Sequence, residues 1–302
     1  MKSFTAKSIV ARTRTFSQTT LNANKSGLRS SQPFNANLAE HLTPTIKTFL
    51  LQGKVALITG GARGLGWNMA QALAEAGTKE IALVDLKQEL GQASAAELQD
   101  STGIPVRFYA ADVTDADAIK ETVSQISKDS GSIDIVVNSA GIVDSNIKAE
   151  TYPPSAFRRL LDINLTGSFI VSQACGQQMI ASGNGGSIIF LSSIAGSRVL
   201  HPQQQCAYNA SKAAVTQLAK SLAGEWAPHG IRVNTIAPGY MDTQLNEDPL
   251  LQAQRTHWEQ ATPMGRIGTP DELNGLAVFF SSDASRFVTG AHVYADGGYA
   301  VY

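Results

Sequence analysis

The segment CAYNASK, Cys206 to Lys212, places a phenol four residues before an ammonium, and the residues that follow, AAVTQLAKSLAGEWA, have a helical pattern. On a helix, Tyr208 and Lys212 share one face about a turn apart. A neighbouring ammonium favours phenolate, so the spacing predicts a Tyr208 pKa lowered from about 10 toward neutrality. Such a phenol gives a proton to a carbonyl oxygen or takes one from an alcohol. Fifteen residues upstream, FLSSIAG ends an apolar run with Ser192 and Ser193. A serine hydroxyl there can hold a developing oxyanion. By itself a Y-x-x-x-K pair is an ordinary helix-surface feature, and it reads as chemistry only beside the other elements of the chain.

The first of those elements is TGGARGLG, Thr59 to Gly66, which follows an apolar strand-like run and opens a helical one. Gly60, Gly64 and Gly66 allow a tight turn, a close backbone approach to a pyrophosphate and close helix packing, with Arg63 and Leu65 between them. Amides at the helix start meet the negative charge. Asp85 ends the next strand about twenty residues on, where an acid accepts hydrogen bonds from adenosine ribose hydroxyls and repels an extra phosphate. NAD is therefore expected over NADP, although Arg63 and Lys87 are placed to bind a 2′-phosphate. The nicotinamide supplies or accepts the hydride.

Short β-branched apolar runs alternate with amphipathic ones from Lys54 onward: KVALIT, IALVD, VRFYA, IDIVVN, SIIFLS, IRVNTIA and AHVYAD. Nearly continuous apolar runs suit strands buried on both faces. The pattern predicts an α/β fold: a doubly wound parallel sheet of about seven strands with helices on both faces, in one catalytic domain over 46–302. Ligands in such sheets bind beyond the carboxyl ends of the strands. Asn138, Ser192 and Ser193, and Pro238 with Gly239 end successive runs and are expected to open on one crevice, with Tyr208 facing it.

The chain has 302 residues, 43% of them apolar and 16% charged, with a net charge of -1. That balance gives no reason to expect nucleic acid as a partner. No apolar run is long enough for membrane insertion. Cys175, Cys206 and five scattered histidines show no metal-ligand spacing. Residues 1–45 differ from the rest. They carry Lys2, Lys7, Arg12, Arg14, Lys25 and Arg29, many Ser, Thr and Asn, and no acid before Glu40. This composition matches a mitochondrial transit peptide, with RTFSQ resembling a matrix processing site. The matrix is the expected location; a disordered polar tail on a cytoplasmic protein is the other reading.

Together TGGARGLG, the Asp112–Val113 pair, NSAG at Asn138 to Gly141, Asn164 in DINLTGSF, SSIAG, YNASK and PGYMDT at Pro238 to Thr243 resemble the short-chain dehydrogenase/reductase family over Leu51 to Tyr302. The resemblance implies that Tyr208 is the acid/base and that Lys212 binds the nicotinamide ribose and tunes the phenol. It implies further that Ser193 orients the substrate carbonyl, with Ser192 as fallback, and that Asn164 holds a water in a proton relay. Asp112 would meet the adenine and Thr243 the carboxamide, with Val113, Pro238, Gly239 and Met241 also along the cofactor. The sequence departs from the family pattern in reading NSAG for NNAG and in a slightly long serine-to-tyrosine interval.

HPQQQCAYNASK is similar to the pattern of fungal polyol dehydrogenases and ketose reductases, the D-arabinitol 2-dehydrogenase type among them. Gln203, Gln204 and Gln205 would suit a substrate with several hydroxyls, since amides both donate and accept. The expected activity is reversible, NAD-dependent oxidation of a secondary alcohol to a ketone on a small polyol. A 3-oxoacyl-acyl-carrier reductase or another ketone or steroid reductase of the same family is the alternative enzyme. A nucleotide-binding scaffold or redox sensor is the non-enzymatic one. Tyr240 to Gly268, with Met241, Trp258 and Met264, is expected to form a substrate lid, although its helical stretch also reads as packing. The run TGAHVYADGGYAVY resembles the family's subunit-contact end and implies a homotetramer or homodimer.

Overall fold

The computed structural model describes residues 33–243 and 249–301. Seven strands, β1 (Val55–Thr59), β2 (Glu80–Asp85), β3 (Val106–Ala110), β4 (Ile135–Asn138), β5 (Gly186–Leu191), β6 (Ile231–Pro238) and β7 (His292–Ala295), form one parallel sheet in the order β3-β2-β1-β4-β5-β6-β7. The helices are α1 (Ala36–Glu40), α2 (Pro44–Lys47), α3 (Gly64–Glu75), α4 (Gln88–Thr102), α5 (Ala116–Ser130), α6 (Pro154–Leu161), α7 (Ser168–Ser182), α8 (Cys206–Trp226), α9 (Pro249–Ala261) and α10 (Asn274–Ser281).

The strands read as continuous apolar runs because both faces are covered. Ala56 and Ile58 of β1 point into one core with Met69 and Leu73 of α3, Leu98 of α4 and Phe280 of α10. Leu57, between them, points into the other with Val123 of α5, Val171 of α7 and Val215 of α8. The period of two along each strand thus divides its side chains between the two helix layers. β1 lies between β2 and β4, so the chain leaves it in opposite directions on its two sides and a crevice opens at the carboxyl ends.

β4 starts two residues later than its apolar run suggests, because Asp134 has another role. Its carboxylate accepts from the Val55 amide at 2.9 Å and the Ser132 hydroxyl at 2.8 Å, tying the base of β4 to β1. Residues 34–49 lie against the body. The Phe34 ring rests on Gly77, Phe49 meets Phe279 at 6.2 Å between ring centres, and the Ala284 amide donates to the Thr48 carbonyl at 3.0 Å. Residues 1–32, with RTFSQ and most of the transit-like composition, lie outside the described residues. Among the described residues no helix is long and apolar enough to cross a membrane, and no group of His, Cys, Asp and Glu could hold a metal ion.

Phe280 is fully enclosed where α10 crosses the sheet. Phe280→Ala should lower unfolding free energy by about 3–5 kcal/mol. In urea the midpoint falls while the denaturant slope is kept; an unchanged midpoint would show that α10 is not part of the cooperative core.

Candidate active site

The end of β5 and the start of α8 are built as one piece. Ser192 is also on the cavity wall, but its hydroxyl is committed to α8: it donates to the Lys212 carbonyl at 2.9 Å and meets the Thr216 hydroxyl at 2.8 Å. Ser193 faces the cavity, and its Oγ accepts the Ala195 amide at 3.1 Å to start a short 3-10 turn. Gly196 ends that turn against the α8 backbone. A Cβ there would meet the Lys212 carbonyl carbon at 2.7 Å and the Ala213 nitrogen at 2.8 Å. The second serine of the pair is therefore the one beside Tyr208, and the first is a clamp on α8.

Lys212 is buried, and its Nζ donates to the Leu191 carbonyl at 2.8 Å, 5.7 Å from the centre of the Tyr208 ring. Burial lowers its pKa to about 8. Tyr208 departs from the expectation drawn from spacing. Burial raises its pKa, and the hydrogen bond with Ser193 opposes that rise without cancelling it. Burial is the larger effect and the Ser193 hydrogen bond is what opposes it; the Lys212 ammonium, 5.7 Å from the ring centre, does not bring the phenol below its ordinary value.

Two expected site residues serve as braces. Asn138 ends β4 but does not reach the crevice; it is buried, and its Nδ2 donates to Ser172 Oγ of α7 at 2.9 Å. Asn164 sits in a π-helical stretch, Asp162–Gly167, between α6 and α7. Its Oδ1 accepts the Ile142 amide at 2.8 Å, and its Nδ2 donates to the Ile142 carbonyl at 2.9 Å and Ser211 Oγ at 3.0 Å. Both amide hydrogens are committed, so the side chain fastens the loop after β4 to α8.

A cavity of about 1490 Å³ runs along the carboxyl ends of the strands from Asp85 to Tyr208. At one end Gly60 adopts φ +63°, and a Cβ on it would meet the Ala140 nitrogen at 2.8 Å. A Cβ on Gly66 would strike the Gly60 carbonyl, so this residue packs the helix and does not line the cavity. α3 starts at Gly64 with no side-chain cap from Arg63, which leaves its first-turn amides for an anion. Leu65 lines the cavity beside them.

Both Asp85 carboxylate oxygens accept backbone amides, Ala62 at 3.3 Å and Lys87 at 3.2 Å, which fixes the group at the rim with lone pairs to spare. Asp112 is held by Thr114 at 2.9 and 2.8 Å, with Val113 next to it on the wall. Pro238, Gly239, Met241 and Thr243 line the far side. The close glycine approach, the uncapped helix start and the strand-end acid fit an extended dinucleotide. When bound, it would lie between Gly60 and Asp85 at one end and Tyr208 and Lys212 at the other.

Of the three glutamines, Gln203 and Gln205 line the cavity; Gln204 is exposed and contributes only its carbonyl, which accepts the Ile147 amide at 3.0 Å. Trp258 of α9 is fully buried and stacked on Tyr240, with ring centres 4.2 Å apart and planes 9° apart, so this part of the expected lid is packed on the body. Residues 244–248 of that lid lie outside the described residues. Tyr240 and Ser145 also line the cavity. No sequence motif marks their side chains as site residues, since only the fold brings their two loops to α8.

Gly196→Ala tests the clamp. Its neighbours are backbone atoms that cannot step aside, so the variant should lose about 1–3 kcal/mol of stability. Any catalytic turnover that uses Tyr208 should fall with it, because α8 is displaced from Ser193. A variant as stable and as active as the parent would show that the contact is slack.

Residues 60–300 match the family model described as Enoyl-(Acyl carrier protein) reductase. The chain is 39% identical to sorbose reductase sou1 of Schizosaccharomyces pombe, covering 83% of this chain and 97% of that protein. It is 37% identical to the ribulose-forming D-arabinitol 2-dehydrogenase of Candida tropicalis, covering 84% and 95%. Among solved structures, that of an NAD+-bound xylitol dehydrogenase superposes with a TM-score of 0.77 at 35% identity, covering 82% of this chain and 99% of that one. Another matching structure is in complex with NADP. With a glycine loop, a strand-end serine and a Tyr-x-x-x-Lys helix converging on one cavity, the chain belongs to the short-chain dehydrogenase/reductase family, as an oxidoreductase of the polyol dehydrogenase type that acts on CH-OH groups with a nicotinamide cofactor.

Proposed function

We propose that the protein catalyses reversible, NAD-dependent oxidation of a secondary alcohol of a small polyol to the corresponding ketose. The observation that carries this reading is the meeting of Ser193, Tyr208 and two amide side chains, Gln203 and Gln205, on the wall of one cavity. The cofactor, when bound, supplies the hydride acceptor. Tyr208 takes the hydroxyl proton in oxidation and returns it in reduction. Ser193 donates to the same substrate oxygen as negative charge grows on it. Lys212, held on the Leu191 carbonyl, keeps a cation under the phenol and favours the ionised form that oxidation needs.

Asp85 supports NAD over NADP. Its carboxylate is pinned by two backbone amides and cannot swing away from a 2′-phosphate. Asp85→Ser should therefore raise kcat/KM with NADP and lower it with NAD, each by at least about tenfold, since like-charge juxtaposition costs several kcal/mol. Unchanged selectivity would remove Asp85 from cofactor choice.

The full chain should be screened at steady state with NAD and NADP against arabinitol, xylitol, mannitol, sorbitol, a 3-hydroxyacyl thioester and a hydroxysteroid. Turnover of a polyol with NAD is expected, and Tyr208→Phe should cut it by about 10²–10⁴-fold while the cofactor still binds. Activity confined to the thioester or the steroid would overturn the polyol reading.

The pH dependence has a definite sign. A raised Tyr208 pKa keeps the phenol protonated at pH 7, the form that donates to a ketone. Reduction should therefore hold as pH rises from 7 to 9, as far as Tyr208 is concerned, and fall only above the ordinary phenol value of 10.0, while oxidation climbs toward that pH. Loss of reduction already below pH 9 in step with a gain of oxidation would show that the phenol titrates below its ordinary value and overturn the raised pKa.

A further inference from the structure

Gln203 is held in one orientation by a residue outside the family motifs' catalytic set. The Tyr240 hydroxyl donates to Gln203 Oε1. The Tyr240 ring cannot turn: it is stacked on Trp258, and Tyr299 abuts it edge-on at 5.5 Å and 74°. Tyr299 is itself placed by Asp296, whose carboxylate accepts the Gly298 amide at 2.9 Å and the Ala300 amide at 2.8 Å. Burial raises the Tyr240 pKa, so its hydroxyl stays a donor across the working range.

With the acceptor end of Gln203 taken, its Nε2 has no partner among the described residues and is not among the enclosed unpaired atoms; it opens on the cavity. The neighbouring amide differs. Gln205 accepts from Ser145 at 3.3 Å through Oε1 and donates to Asn209 at 3.1 Å through Nε2, so both of its ends have protein partners. Tyr208 and Tyr240 pack on the same small apolar cluster of Ile194, Ala195 and Leu200, which puts the Gln203 amide at the catalytic end of the cavity.

We infer that Tyr240 is a positioning residue that turns Gln203 into a donor-only contact, and that this contact selects substrates carrying a hydroxyl oxygen on the carbon next to the one oxidised. An NH2 group offers two hydrogens and no lone pair, so it matches the acceptor side of a hydroxyl. In an alcohol with hydrogen or a methyl at that place the buried donor goes unpaired, which penalises binding. This inference rests on the dehydrogenase reading above and names the part of the polyol that the site reads, the hydroxyl next to the reacting carbon, which a simple vicinal diol also carries.

The test compares arabinitol, 2,3-butanediol and 2-butanol in wild type, Tyr240→Phe and Gln203→Glu, with NAD binding followed by fluorescence. Tyr240→Phe keeps the ring stack and loses only the hydroxyl. It should raise KM for arabinitol and 2,3-butanediol about 3–10-fold at nearly constant kcat, the size of one neutral hydrogen bond, and leave 2-butanol turnover and NAD binding unchanged. Gln203→Glu keeps an acceptor for Tyr240 but presents an acceptor to the cavity, and it should lose diol turnover by a larger factor than Tyr240→Phe.

Wild-type enzyme that treats 2-butanol and 2,3-butanediol alike overturns the inference. So does a Tyr240→Phe variant that keeps the parental KM or loses kcat equally on all three alcohols, and so does Gln203→Glu with unchanged diol kinetics. In those cases the dehydrogenase reading survives, because wild-type turnover is intact. Absence of wild-type turnover on every alcohol overturns both.

Discussion

The geometry of the site depends on how α8 is fastened to the end of β5. Hydrogen bonds cross that junction from Ser192 to the Lys212 carbonyl, from Ser192 to Thr216, from Lys212 Nζ to the Leu191 carbonyl, and between Ser193 and Tyr208. Gly196 lets the turn between the two elements touch the α8 backbone with no side chain between them. Tyr208 lies one turn before Lys212 on the same helix, so fixing the lysine end fixes the phenol. Asn164 adds a brace from the other side through Ser211 and Ile142. A proton-transfer group is useful only when held within a few tenths of an ångström of its partner, and this junction supplies that rigidity.

Rigid burial has an electrostatic consequence. The same packing that holds Lys212 and Tyr208 also takes both away from water, which disfavours the charged form of each. The phenol is therefore poised as a proton donor, and the lysine is a cation whose charge is only partly secured at mildly alkaline pH. A residue pair that sequence spacing presents as a simple attraction is governed here by desolvation, which raises the phenol and lowers the lysine.

The cavity wall that carries the glutamines is made differently. Its amides come from a loop before α8, its phenol from the loop after β6, and the backing tryptophan from α9. These segments are far apart in the chain and meet only because β5 and β6 are neighbours in the sheet. Loops on a fixed scaffold can change without disturbing the junction of α8 with β5, which separates the chemistry of the site from the choice of substrate.

Much of the fold was legible in one dimension. Alternation of apolar runs with helical ones marks a parallel sheet with two covered faces, because both periodicities follow from local backbone geometry. The glycine loop, Asp85 and Tyr208 with Lys212 were legible for the same reason: each works through neighbours in sequence or at a strand end. Side-chain direction and solvation were not. That the Ser192 hydroxyl is tied to α8, that the Asn138 and Asn164 side chains are braces, that Gln204 points outward, and that the Tyr208 pKa moves up were settled by packing. Each depends on what fills the space around a side chain, and that space is bounded by residues from distant parts of the chain.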